Sequence, residues 1–259
     1  MQHGHRIEWR SSASDVLADA QSRWALFLDV DGTLLDIALA PDLVVVPAGL
    51  TELLVRISRG LGGAMAVLTG RQLSEIDALL PPARFVGGGV HGSELRTTPA
   101  GAIARVANAL PPSLLRAVDQ LALDLPGIIA EPKGPGLAVH YRLAPDLQDI
   151  VEARLRVVLD DYAESLVLCP GRKLFEIIPA GHSKGTALET LAAMPAFAGR
   201  RPLMIGDDVG DEPALRAAER LGGMGLRVSG EHFGSTKCDF HGPKSVIEWL
   251  GSFADRIES

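Results

Sequence analysis

The run Ala25-Leu26-Phe27-Leu28-Asp29-Val30-Asp31-Gly32-Thr33 constrains this chain more than any other segment. An apolar stretch closed by Asp-Gly reads as a strand buried on both faces that ends in a sharp turn. The strand period of two then aims Asp29 and Asp31 the same way at the carboxyl end of the strand. Two acids held close repel, so both stay ionised near pH 7 only with a cation between them; otherwise one holds a proton. The pattern points to Mg²⁺ chemistry or to a nucleophile beside a general acid, with a plain strand-capping turn as the bland alternative. An EF-hand loop does not fit, because its later acidic ligand is missing and the flanks read as strand. Gly32 permits the tight turn and leaves main-chain N–H groups free to face an anion.

Two later runs repeat this form. Ala64–Leu68 ends at Thr69-Gly70-Arg71 and leads into a helical stretch, Leu73–Leu80. Pro202–Ile205 ends at Gly206-Asp207-Asp208 and leads into Pro213–Leu221, stopped by Gly222-Gly223. Strands followed by helices predict an α/β fold with a doubly wound, mostly parallel, Rossmann-like core sheet. Such sheets bind ligands beyond the carboxyl ends of their strands, which places Asp207 near Asp29 and Asp31. Mg²⁺ takes one or two carboxylates and keeps its other positions for water and substrate oxygens. Asp211 and Glu212 fit the solvated first turn of a helix as well as they fit a site. The Thr69 hydroxyl and the Gly70 amide suit a phosphate oxygen, or simply a turn or helix cap. Lys184, between Ser183 and Gly185 at the start of a helix through Met194, opposes the helix dipole. An anion bound there would explain it, and a solvated lysine is the alternative.

The middle of the chain follows another pattern. Pro111 and Pro112 precede a helical period over Leu114–Leu125, then come strand-like runs at Ile128–Glu131 and Leu137–Tyr141 and a helix over Asp146–Leu159. Leu166–Leu168 and Leu174–Ile178 are further strands, separated by a turn at Pro170-Gly171. Residues 108–177 therefore read as an inserted α+β module, and 1–107 with 178–259 as the core. Composition narrows the partners. With 25 Lys+Arg against 32 Asp+Glu, the net charge of −7 has the wrong sign for a bulk nucleic-acid binder. No apolar run approaches the roughly 18 residues that span a bilayer, and Met1–Ala20 lacks the order of a signal peptide, so no membrane association and a cytoplasmic location are expected. Cys169 and Cys238 form no metal or redox motif and read as reduced thiols.

Four motifs in order, Asp29-x-Asp31-Gly32-Thr33, Thr69-Gly70, Lys184 and Gly206-Asp207-Asp208, resemble those of the haloacid dehalogenase superfamily. An insertion between the second and third motifs resembles the group that carries an α+β cap there. The likeness is closer to the bacterial trehalose-6-phosphate phosphatase family and extends from Trp24 to Leu250. It is carried by Gly89-Val90-His91-Gly92-Ser93-Glu94, Glu131-Pro132-Lys133, His140-Tyr141-Arg142, Gly171-Arg172-Lys173 with Glu176, and Leu221-Gly222-Gly223-Met224. One departure is Gly210, where the family usually has threonine.

The resemblance implies that Asp29 attacks phosphorus while Asp31 protonates the leaving sugar oxygen and then activates water. It implies that Thr69 and Lys184 hold the phosphoryl group. Mg²⁺ would be bound by Asp29, the Asp31 main-chain carbonyl and Asp207, with Asp208 beside it or as an alternate ligand. Gly70, Arg71, His91, Glu94, Glu131, Lys133, His140, Arg142 and Glu176 would meet a phosphorylated disaccharide. The charged ones read equally as rim salt bridges, and His140 as a half-buried strand histidine. Functional coupling to a trehalose-6-phosphate synthase is implied as well. The alternatives are a phosphatase for sucrose 6-phosphate or a mannosyl-glycerate phosphate, a phosphosugar mutase, and a silent regulatory module. Mutases of this superfamily usually carry a helical cap after the first motif, and intact Asp29, Asp31, Lys184 and Asp207 argue against silence.

Overall fold

The computed structural model describes residues 11–20, 23–37 and 43–258; the first ten residues of the Met1–Ala20 stretch lie outside them. In chain order the elements are α1 (Ser11–Ala18), β1 (Trp24–Leu28), α2 (Leu50–Gly60), β2 (Met65–Leu68), α3 (Leu73–Leu79), β3 (Val86–Gly89), β4 (Glu94–Arg96) and β5 (Ala104–Arg105). Next come α4 (Pro112–Asp124), β6 (Ile129–Lys133), β7 (Gly136–His140), α5 (Gln148–Leu159), β8 (Leu166–Gly171) and β9 (Leu174–Pro179). The chain closes with α6 (Lys184–Ala192), β10 (Arg201–Gly206), α7 (Glu212–Arg220), β11 (Met224–Arg227) and α8 (Pro243–Ile257). No helix among the described residues is long and apolar enough to cross a membrane.

The first sheet has the order β11-β10-β1-β2-β3-β4-β5, parallel through β3 and antiparallel at the β4 and β5 edge. This is the expected α/β, doubly wound, mostly parallel sheet. Every residue of β1 is buried, as its unbroken apolar sequence requires of a strand covered on both faces. Phe27 packs on Phe197 with ring centroids 5.4 Å apart. Trp249 of α8 stacks on Phe253 and donates its indole N–H to the Ala13 carbonyl, which ties α1 to the end of the chain. Strand β1 stops at Leu28, earlier than the expected Val30. The common aim of Asp29 and Asp31 is thus set by the turn around Gly32 and not by strand alternation.

A second, antiparallel sheet, β6-β7-β9-β8, is formed by the inserted stretch, and α4 and α5 supply the rest of its own apolar core. The chain leaves this layer after Pro179. The turn expected at Pro170-Gly171 lies instead at Arg172-Lys173, with Lys173 at φ 60, and Pro170 pairs with Phe175 inside the hairpin. Strand β8 is an edge strand, where a proline without an N–H removes no ladder bond.

Candidate active site

Two neighbouring parallel strands, β1 and β10, deliver the first cluster. Asp29 leaves the end of β1, Asp207 the end of β10, and Asp211 ends the single turn that opens α7. All three are buried, and one carboxylate oxygen from each falls within 4.8 Å of the others. Lys184 enters at the first turn of α6. The Ser183 hydroxyl accepts from the Thr186 N–H and the Thr186 hydroxyl accepts from the Ser183 N–H, a reciprocal cap that stabilises a helix start by roughly 1 kcal/mol. The cap sets the direction of Lys184, whose ammonium donates to Asp29 Oδ1 and Asp211 Oδ1, each at 2.6 Å. The anion expected beside this lysine is therefore a pair of the protein's own carboxylates.

Electrostatics follow from burial and crowding. Burial, then the Asp211 charge, pushes the Asp29 carboxyl up, and Lys184 only partly offsets this. Burial, Asp29 and Asp211 push Asp207 up in the same direction. Burial works to lower the Lys184 ammonium, but the Asp211 and Asp29 charges outweigh it and hold it above its ordinary value. One lysine faces three buried acids, so all three ionise together only with a further cation among them; otherwise one holds a proton. The two oxygens of Asp211 are already engaged: Oδ1 by Lys184, and Oδ2 by the main-chain N–H groups of Asp207 and Asp208, both at 3.0 Å. Asp207 meets the Thr33 hydroxyl at 3.3 Å, and its carboxylate lies against the bare Cα of Gly32, where a Cβ would come within 2.1 Å. Gly32 sits at φ 90, so both its conformation and this close approach require glycine. Hard oxygen donors at Asp29 and Asp207 fit a divalent cation such as Mg²⁺.

Asp31 is gripped by Arg71, whose Nε and Nη2 donate to its two oxygens at 2.6 and 2.7 Å. Arg71 also lies 4.0 Å from Glu75, a residue unremarked in the sequence whose carboxyl is raised by burial. The Thr69 hydroxyl accepts from the Arg71 main-chain N–H at 3.0 Å, and Thr69 stands just behind the cavity wall. Asp208 caps its own turn by accepting from Val209 N–H and stands outside the buried acid trio, a place that Asp211 takes. The D-x-x-x-D spacing from Asp207 to Asp211 was the available signal. It spans one helical turn, which brings Asp211 back over Gly206 and away from solvent.

These groups form the floor of a cavity of about 670 Å³ whose opposite wall comes from the second sheet. Gly70, Arg71 and His91 line it from below; Glu131, Lys133, His140, Arg142 and Glu176 line it from above. Glu131 accepts from or pairs with His140 Nε2 at 2.8 Å, and that bond, more than the neighbouring Lys133, lowers its carboxyl. Lys133 lies 3.7 Å from both Glu131 and Glu176, and Glu176 Oε2 meets His91 Nε2. Glu94 is a correction: it is buried outside the cavity lining and accepts from the Leu73 N–H at 3.1 Å. Helix α3 has no side-chain cap of its own at Gln72, so Glu94 satisfies one of its orphan donors instead of a sugar hydroxyl.

Burial acts to raise Glu176, but His91, then Lys133 and Lys184, outweigh it and hold its carboxyl at about 2, against 4.5 ordinarily. A depressed folded value means the stabilisation is complete above about pH 4.5 and vanishes as pH falls toward 2. The gap between wild type and Glu176→Gln in thermal unfolding should therefore shrink over that window from at most about 3 kcal/mol. A gap independent of pH would show that Glu176 is not held ionised by these partners.

A mostly parallel sheet whose strand β1 leads into Asp-x-Asp, with further acids from the end of β10, a lysine from the start of α6 and a second layer above, defines the haloacid dehalogenase class of fold. The family model described as Trehalose-phosphatase matches residues 27–239, and the chain belongs to that family of phosphoric monoester hydrolases. A "Probable trehalose-phosphate phosphatase" of Sinorhizobium fredii is 42% identical over 206 residues, 79% of this chain and 77% of that protein. The trehalose-6-phosphate phosphatase of Escherichia coli is 33% identical over 235 residues, 90% and 87% of the two chains. In fold, the chain is similar to the C-terminal domain of C. albicans trehalose-6-phosphate phosphatase, with a TM-score of 0.80 at 20% identity over 97% of this chain and 99% of the other.

Proposed function

We propose that the chain hydrolyses trehalose 6-phosphate to trehalose and orthophosphate with Mg²⁺, through an aspartyl phosphate on Asp29, and that residues 108–177 act as a cap over the site. The observation that carries this is one cavity with an Asp29, Asp31 and Lys184 floor and a roof of ionic and hydrogen-bonding side chains. Its size lies within the range of small-molecule sites. A disaccharide presents many hydroxyls, and Glu131, Lys133, His140, Arg142 and Glu176 offer donors and acceptors for them.

An oxygen of Asp29 attacks phosphorus, and the bond from phosphorus to the sugar oxygen breaks. Asp31 gives that oxygen its proton. Water then attacks the aspartyl phosphate, Asp31 takes a proton from it, and orthophosphate leaves with the Asp29 carboxylate restored. Lys184 stays against Asp29 and neutralises charge that gathers on the phosphoryl oxygens. Asp29 and Asp207 would hold a Mg²⁺ ion, which would supply further charge neutralisation there. Asp31 cannot present a proton while Arg71 engages both its oxygens, so Arg71 must turn toward the incoming phosphate or toward Glu75. A synthase making trehalose 6-phosphate is the matching upstream partner.

The test is phosphate release from trehalose 6-phosphate, sucrose 6-phosphate and glucose 6-phosphate, with Mg²⁺ or with EDTA. The expected result is a kcat/KM for trehalose 6-phosphate about 100-fold above the others and lost about 1000-fold on chelation. Release confined to sucrose 6-phosphate, or undiminished by EDTA, would sink the proposal.

A further inference from the structure

Two of the three non-glycine residues with positive φ among the described residues are neighbours in the turn from β3 to β4: Val90 at φ 45 and His91 at φ 51, ψ 37. A β-branched residue is rarely found in the left-handed region, and such a conformation persists only where the surroundings over-determine it. Both strained residues turn their side chains against the second layer. Val90 packs on β7 at Gly136, where a Cβ would come within 2.7 Å of Val90 Cγ1. His91 reaches into the cavity, and its Nε2 meets Glu176 Oε2 on β9. Its imidazole runs across the bare Cα of Gly70, where a Cβ would lie 2.8 Å from Nε2, and Gly210 flanks it, with a Cβ position 3.4 Å from Cε1. The ring is therefore held between two loops of the first sheet and one strand of the second.

We infer that the Val90-His91 turn is a docking knuckle for the inserted module, and that His91 is a positioning residue: it fixes the Glu176 carboxylate against the core, so the disaccharide-recognising wall is in register only while the module is seated. The identity of what that wall recognises rests on the trehalose 6-phosphate reading above. Gly136 is part of the same device, since it leaves room for Val90 and allows the two layers to close.

The test is a double-mutant cycle read in steady-state kinetics on trehalose 6-phosphate. In His91→Ala, KM should rise about 10-fold with kcat falling less than about 3-fold, the mark of lost ground-state positioning. His91→Gln, which carries an Nε2 at similar reach, should recover most of that loss. Adding Glu176→Gln to His91→Ala should raise KM by less than about 2-fold further, because both changes break one interaction. Gly136→Ala removes no polar side chain, and its Cβ would crowd Val90 Cγ1 at 2.7 Å more closely than the Ile177 carbonyl at 3.4 Å, so it should raise KM as His91→Ala does. A fall in kcat at constant KM, multiplicative effects of the two substitutions, or a Gly136→Ala variant with wild-type KM would each overturn the inference. If the wild type leaves trehalose 6-phosphate intact, the substrate reading fails by itself. The same cycle is then read in thermal midpoints, where additive shifts of His91→Ala and Glu176→Gln would overturn the positioning of Glu176 by His91 and non-additive shifts would support it.

Discussion

Asp29→Asn should lose turnover by at least about 10⁴-fold, which corresponds to about 5 kcal/mol of transition-state stabilisation, while the protein stays folded. An amide oxygen in the same place cannot attack phosphorus and leave again as a carboxylate. The fold should tolerate the change because the site resists this charge. Burial and Asp211 both push the Asp29 carboxyl up, and only Lys184 draws it back. A neutral side chain of the same shape removes that repulsion and leaves Lys184 paired with Asp211 at 2.6 Å. The measurements are phosphate release and the thermal midpoint of the same preparation. Turnover above about one per cent of wild type, with the midpoint intact, would mean that another group is the nucleophile.

Lys184→Met should have the opposite profile, with a large loss of stability as well as of activity. The ammonium touches Asp29 and Asp211, both buried, and removing one partner of a buried ion cluster leaves uncompensated charge, at about 3–5 kcal/mol. For a chain of this size that lowers the thermal midpoint by roughly 6–20 °C. Added Mg²⁺ should restore part of the stability, since a divalent cation on Asp29 and Asp207 relieves the same repulsion. Urea unfolding with and without Mg²⁺ measures both effects. An unfolding free energy within about 1 kcal/mol of wild type would show that the buried acids are neutral without the lysine.

How much could be read before the fold was in view depended on the range of each interaction. The strand–turn–helix units around Asp29, Thr69 and Asp207 were legible because apolar runs, glycine turns and helix starts are local patterns. Strand β3 was not, because Val86-Gly87-Gly88-Gly89 has almost no side chains to show a period. Gly87 is needed because a Cβ there would come within 2.6 Å of the Val67 carbonyl on the neighbouring strand, a constraint invisible along the chain. Glu94 stood in a suggestive segment but spends its carboxylate on α3, and Asp211, which fitted a solvated helix start as well as a site, lies fully buried.

By itself, the sequence determined the class of core, the two strand ends that carry acids and the one that carries Thr69, the lysine at a helix start and the interruption by an α+β module. Each is written within a few residues by periodicity, turn chemistry or capping. Only the tertiary structure decided which groups meet. Lys184 and Asp29 are separated by 155 residues, and Arg71 and Asp31 by 40; the second gap closes because β1 and β2 lie side by side, and the first because α6 packs against the sheet. It also decided that Asp211 and not Asp208 completes the buried trio, and that a strained Val90-His91 turn carries the second layer. Burial and charge neutralisation depend on what surrounds a side chain in three dimensions, and no local pattern encodes that.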